Sequence, residues 1–151
     1  MEKTSLILLS LLLLTGCHKP SDPSMFQIRL VVANAAADTE EMVLTNKTLV
    51  EKFQVQRTVV LDGTAVEEAD AFSENGNNYI SVKFTGAGAK KLEQVTSQHV
   101  GEKLAIVIDR KLASALNIES PISTPSAQIN GNFSQSEADD LARKINQAVV
   151  K

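Results

Sequence analysis

The chain's lone cysteine, Cys17, stands just past an apolar run from Leu6 to Leu14 that only Ser10 interrupts, and this junction limits what the remaining sequence can become. One cysteine makes no internal disulfide, so the cross-linked framework of small secreted domains is excluded, as is a metal site of the CxxC kind. The run is too short to cross a bilayer, which takes roughly 20 apolar residues. With Lys3 ahead of it, it has the charge and length of a signal-peptide core. Whatever folds must therefore fold downstream, around a hydrophobic core.

Leu14-Thr15-Gly16-Cys17 resembles the lipobox of bacterial lipoproteins. There, small residues let an extended chain enter a peptidase, and the cysteine thiol takes a diacylglycerol before cleavage leaves it first in the mature chain. The resemblance implies a signal peptide over residues 1–16 and lipidation of Cys17. Two or three acyl chains, each contributing about 0.8 kcal/mol per buried methylene, hold a protein on a membrane where one would not. The expected product is anchored through its N-terminal lipid in the bacterial cell envelope, facing the periplasm, and does not span. His18, not Asp, follows the cysteine; in a Gram-negative source this resembles outer-membrane sorting more than inner-membrane retention. The lipidated tether is expected over residues 17–24, because "HKPSDPS" has two prolines and no apolar residue.

Residues 25–151 then make one domain. The chain is 43% hydrophobic with a formal net charge of −3, which supplies a core but no basic footprint, so nucleic acid is not an expected partner. Phe26, Ile28, Leu30 and Val32 alternate with Gln27, Arg29 and Val31, the period of a half-buried strand. A second strand is expected through Phe53, Val55, Arg57 and Val59 to Leu61, where Asp62-Gly63 gives a turn. Asn75-Gly76 is a strong turn signal, so Ala65 to Phe72 and Asn78 to Phe84 are expected to pair as a hairpin.

Thr85 can cap a helix over "GAGAKKLEQVTSQ", with Ala89, Leu92, Val95 and Thr96 on one face and Gly101 beyond its end. "KLAIVID" reads as a central strand covered by helices on at least one face. "SAQING" reads as a short strand ending in a turn. In the last segment Ser134 and Glu137 form a capping box, and Ala138, Leu141, Ala142, Ile145 and Val149 make one apolar stripe with Leu141 at its centre. The order predicts an α+β fold: a two-layer sandwich, mostly antiparallel sheet, with two amphipathic helices packed on one face.

The search for chemistry is mostly negative. "TGAGAK" lacks the spacing of a phosphate loop, and Gly88 there reads as a close-packing position at a helix start. His99 reads as a solvated residue at a helix C-terminus. Nothing in the spacing of Asp62, Asp109 and the Glu67-Glu68 pair separates acid–base work from turn and surface duty. No catalytic residue, metal ligand or cofactor site is assigned, and the protein is not expected to be an enzyme.

The second half carries a pattern. "VKFTGAGAKKLEQVTSQHVGEKLAIVIDRKLASALNI", followed by "INGNFSQSEADDLARKI", resembles the head subdomain of the first periplasmic domain of the SecD family, the protein-export accessory subunit. The likeness rests on Phe84-Thr85, Gly88-Ala89, Thr96, the Gly101 to Asp109 strand, Ile129, Gly131, Phe133-Ser134, Glu137-Ala138 and Leu141-Ala142, and covers roughly Val59 to Ile145. Two departures stand out. Arg110 occupies the place where the family usually has glycine after the strand's aspartate, and "SALNI" lacks a usual proline. They are expected to reshape the loop and leave the sheet intact. The family continues into membrane helices that carry a proton-linked cycle, and Lys151 falls where they would start, so no such cycle is expected of this sequence alone.

The resemblance implies a non-catalytic polypeptide-binding module accessory to protein export, with unfolded secretory polypeptide or translocon components as partners. The alternative is an envelope structural or protein-interaction lipoprotein that reuses the fold with no role in export. Binding is expected at an exposed sheet edge, or at the loops after Asp109 and around Asn117 to Pro125. Asn117, Ile118, Glu119, Ser120, Pro121 and Ile122 are the candidate contacts, because "NIESPISTPS" is polar, proline-punctuated and expected to move relative to the core.

Overall fold

The structure, a computed structural model, describes residues 21–45 and 49–149. The signal segment, Cys17 and His18 lie outside the described residues, as does the sequence 46–48. Residues 22–24 do not trail away from the domain. Pro23–Met25 forms a 3-10 turn capped by Asp22, whose N–H donates to the Gln147 carbonyl at 3.3 Å.

Two antiparallel sheets and two helices build the domain. The larger sheet has the order β2 (Thr39–Thr45), β3 (Val50–Gln56), β1 (Phe26–Val32), β7 (Lys103–Ile108), β8 (Lys111–Asn117), with the two-residue β4 (Leu61–Asp62) beside β1. The smaller has the order β5 (Val66–Glu74), β6 (Asn77–Phe84), β9 (Ser126–Asn130). The helices are α1 (Gly86–Gln98) and α2 (Gln135–Ala148). The α+β sandwich expected from the sequence is present, its sheet divided in two.

Alternation explains how the layers meet. Phe26, Ile28 and Leu30 of β1 and Leu104, Ile106 and Ile108 of β7 face a main core, which also receives Ile80 and Val82 from β6, Leu92 from α1, and Ala138, Ala142 and Ile145 from α2. Each large aliphatic side chain removed from water there contributes about 1.5–3 kcal/mol. The other face of the larger sheet is also apolar: Val55, Ala105, Val107 and Leu112 cluster with Val31, Met42, Leu44 and Phe53. β2 and β8, at opposite ends of the strand order, approach each other, so the sheet curls around this second cluster. That is why β7 reads as an unbroken apolar run: both of its faces are buried.

Local signals set the boundaries. Asn75 and Gly76 take φ of 51° and 80°, the pair of positive values that a two-residue hairpin turn demands, and they join β5 to β6 in register with Glu74 opposite Asn77. Thr85 accepts from the Gly88 N–H at 3.0 Å to start α1. A Cβ on Gly88 would lie 2.4 Å from the Ala65 carbonyl oxygen, so the glycine lets the helix start press on the chain before β5. In α2 the capping box closes in both directions between Ser134 and Glu137.

Two strands have no counterpart in the sequence reading. β2, "TEEMVLT", mixes two glutamates into its alternation and leaves Val43 exposed; it is a strand because β3 pairs with it along its whole length. β8, "KLASALN", is built of small residues with weak strand preference and is templated by β7, with a bulge between Ile106 and Val107.

Candidate functional site

The segment with the candidate contact residues begins where β8 ends and is pinned to the body at four points. Asn117 closes β8, and its Oδ1 accepts from the Lys103 ammonium. Ile118 is 1% exposed and belongs to the main core; its N–H donates to the Glu102 carbonyl at 2.9 Å, and its carbonyl accepts from Gly101 at 2.8 Å. Ile122 is half-buried, and its N–H donates to the Thr96 hydroxyl at 2.9 Å. The Pro125 carbonyl accepts from Phe84 N–H at 2.8 Å. Between Ile118 and Ile122, Glu119, Ser120 and Pro121 are exposed. The expectation of a loop free to move relative to the core gives way to an anchored one: the apolar residues in a segment that reads as polar and proline-punctuated are its fasteners.

The loop after Asp109 is likewise held. Asp109 and Arg110 form the turn between β7 and β8 at φ of 50° and 61°, and Asp109 Oδ2 lies 3.1 Å from the Lys144 Nζ of α2. Lys144 also meets Asp140 one helical turn earlier at 3.2 Å, and Arg143 donates to that same carboxylate. Hydrogen bonds from Lys144 and Arg143 hold the Asp140 carboxyl below its ordinary range. Hydrogen bonds to Asp109 and then Asp140 hold the Lys144 ammonium above its ordinary value. This cluster fastens α2 to the turn. It borders an open groove of about 890 Å³ walled by β8, the connection from Asn130 to Phe133, and Leu141 on α2.

Several other acidic residues have structural partners. Asp62 caps the short turn before β5, accepting from the Thr64 N–H at 2.9 Å and from its hydroxyl at 2.6 Å. Glu67 pairs with Lys83 at 2.7 Å, and His99 Nδ1 sits 3.0 Å from Glu102. Arg29, largely buried, bonds Glu40 and Gln27 at 2.5 Å each on the inner wall of the curled sheet. Among the described residues no three His, Cys, Asp or Glu side chains converge as a metal site would require. No helix there is long and apolar enough to cross a membrane.

What remains is sheet edge. The larger sheet's two edges, β2 and β8, face each other. β9 carries hydroxyl caps at both ends of its outer edge: Ser114 donates to the Asn130 carbonyl at 2.9 Å and Thr124 to the Ser126 carbonyl at 2.7 Å. β5 is the other outer strand of the smaller sheet; α2 packs against it, and Asn146 bonds its outer edge: the carboxamide oxygen accepts the Ala69 N–H at 2.9 Å and its nitrogen donates to the Ala69 carbonyl at 2.7 Å. Asn146 and Ser114, which fix these surfaces, carry no sequence signal, and neither does the pairing of Lys144 with Asp109: each joins a polar residue to a partner distant in the chain.

Residues 40–149 match the SecDF P1 head subdomain family. The chain is 39% identical over 89 residues to the protein translocase subunit SecD of Magnetococcus marinus, covering 58% of this chain and 17% of that protein. It is 40% identical over 93 residues to SecD of Aquifex aeolicus, covering 61% of this chain and 18% of that protein. It thus spans less than a fifth of the length of these relatives. Among solved structures, a membrane component SecDF that enhances protein export superposes with a TM-score of 0.67 at 23% identity, covering 85% of this chain and 64% of that one. SecDF in its super-membrane-facing form gives 0.66 at 23% identity, covering 85% of this chain and 19% of that one. At that identity the likeness establishes the fold.

Proposed function

The chain belongs to the SecDF P1 head subdomain family, and from that premise we propose that it is a lipid-anchored, non-catalytic polypeptide-binding module accessory to protein export. In this reading residues 1–16 are removed, Cys17 carries the lipid, and the domain faces the periplasm, on the outer membrane if the source is Gram-negative. Its clients are unfolded secretory chains, met in the company of translocon components.

The observation that carries the reading is the family match over residues 40–149, joined to a sheet edge at β5 that continues beyond the Asn146 bonds. An exposed strand edge recognises extended polypeptide by main-chain hydrogen bonds, whatever its sequence, and so fits a client that arrives unfolded. The exposed Glu119, Ser120 and Pro121, with Asn117, Ile118 and Ile122 as their anchored shoulders, are a second contact surface in this proposal.

Crosslinking in cells tests the reading. Recovery of translocon subunits and secretory chains is the expected result. Recovery of envelope components alone would replace it with the structural-lipoprotein reading. In parallel, Cys17→Ser is expected to abolish palmitate incorporation and leave an unprocessed precursor; incorporation equal to wild type would remove the anchor from the proposal.

A further inference from the structure

The register of the β5–β6 hairpin tells which main-chain groups of β5 look outward. In a two-residue hairpin the residues flanking the turn exchange both hydrogen bonds, so Glu74, and with it Phe72 and Asp70, point their N–H and C=O groups at β6. Ala69, Ala71 and Ser73 point theirs away. The Asn146 bonds agree, since its carboxamide meets both outward groups of Ala69. A carboxamide has the donor and acceptor of one peptide unit, so α2 already supplies the first rung of a further strand. Further along the strand Ala71 and Ser73 present the same pair of groups, and among the described residues no strand or side chain is bonded to them.

The face beside this edge is acidic with an aromatic centre. Phe72, 45% exposed, stacks on Tyr79 across the hairpin with ring centroids 5.5 Å apart. Asp70 and Glu74 flank Phe72 on the same face, two residues away on either side, and both are exposed. The side chains of an added strand would stand opposite and diagonal to these three. A second copy of this chain paired edge to edge would bring Asp70 and Glu74 against their own kind, which cross-strand repulsion opposes.

We propose that the β5 edge at Ala71 and Ser73, continuing from the Asn146 rung, is where an extended polypeptide adds as a strand, and that the segment it takes carries basic residues alternating about an apolar or aromatic one. This rests on the polypeptide-binding reading above and assigns that reading its place and its sequence preference. Lysine or arginine would lie opposite Asp70 and Glu74, and the apolar residue opposite Phe72.

The test uses the full chain and short synthetic peptides in which lysine, or in a control glutamate, alternates with valine and threonine about a central tyrosine. An unfolded secretory protein serves as general client. Ala71→Pro and Ser73→Pro each remove an outward N–H that no ladder bond uses, so the hairpin persists while the edge is blocked. The expected result is binding of the basic peptide, at least about tenfold weaker binding of the acidic one, and loss of the basic peptide in both proline variants with their melting temperatures retained. The pair Asp70→Lys and Glu74→Lys, which leaves the backbone untouched should a proline variant unfold, is expected to invert the charge preference. If the proline variants and the charge-reversed variant bind as the wild type does, the edge assignment is overturned while the polypeptide-binding reading stands. If the wild type binds neither peptides nor the unfolded protein, that reading itself falls. Concentration-dependent dimerisation abolished by Ala71→Pro would make a second copy the occupant and would also overturn the proposal.

Discussion

The hydroxyl of Thr96, fully buried on α1, accepts the Ile122 N–H at 2.9 Å while donating to the Leu92 carbonyl at 2.8 Å, so one side chain ties the loop after β8 to the helix. Thr96→Val keeps the shape and leaves the Ile122 N–H without its acceptor, which costs about 1–3 kcal/mol for a buried donor. Chemical denaturation is expected to show that loss, and hydrogen exchange at Ile122 to accelerate beyond the global change. Thr96→Ser is expected to restore most of both. Unchanged exchange at Ile122 in the valine variant would mean that the Thr96 bond does not hold the loop.

Arg110 sits at φ of 61°, a region that costs an ordinary side chain about 1–2 kcal/mol and glycine almost nothing. Arg110→Gly is therefore expected to stabilise the domain by about 0.5–1 kcal/mol, part of the relief being offset by the freer unfolded chain. A denaturation midpoint shifted upward at unchanged slope is the expected reading. A downward shift would show that the guanidinium makes up for its backbone.

On α2, Ile145 is fully buried, whereas Leu141 is half-buried at the groove rim. Ile145→Ala is expected to cost about 2–5 kcal/mol, and Leu141→Ala distinctly less, about 1–2 kcal/mol. Equal losses would place the helix rotated from the orientation described.

These helices show how much the sequence discloses. Caps, turn residues and apolar periodicity are local, so the starts of α1 and α2, the β5–β6 hairpin and the central strand β7 are legible in it. The centre of the α2 stripe is read one step off, at Leu141, because four-residue spacing cannot tell that small Ala138 and Ala142 face the sheet while the larger leucine rides the rim. β2 and β8 are illegible because their strand character comes from the neighbour that templates them. The same limit hides the edge chemistry: Ala71 and Ser73 are unremarkable as residues, and only register shows that their main-chain groups face outward. The candidate loop misleads in the opposite direction, since its proline-punctuated composition conceals the buried Ile118.

The contribution of Lys144 to stability has a defined pH window. Its folded pKa is raised, chiefly by Asp109 and then Asp140, so its contribution is full below the unfolded lysine value of about 10.4 and is lost as pH rises through the folded value. Asp140 is depressed, first by Lys144, so its contribution is present above about 3.9 and is lost as pH falls through the folded value. The stability difference between wild type and Lys144→Met is expected to be flat from about pH 5 to 10 and to shrink outside that window. A difference that varies with pH between those limits would show that another group carries the clamp.

The central claim is that this domain recognises polypeptide because it is unfolded. Titrating it with one reduced, unfolded secretory protein and with the folded form of that protein tests this most directly. Preferential binding of the unfolded form is predicted, reversible and without any energy input, at micromolar dissociation constants or weaker, about 8 kcal/mol or less. Equal binding of both forms, or none at millimolar client, would contradict it.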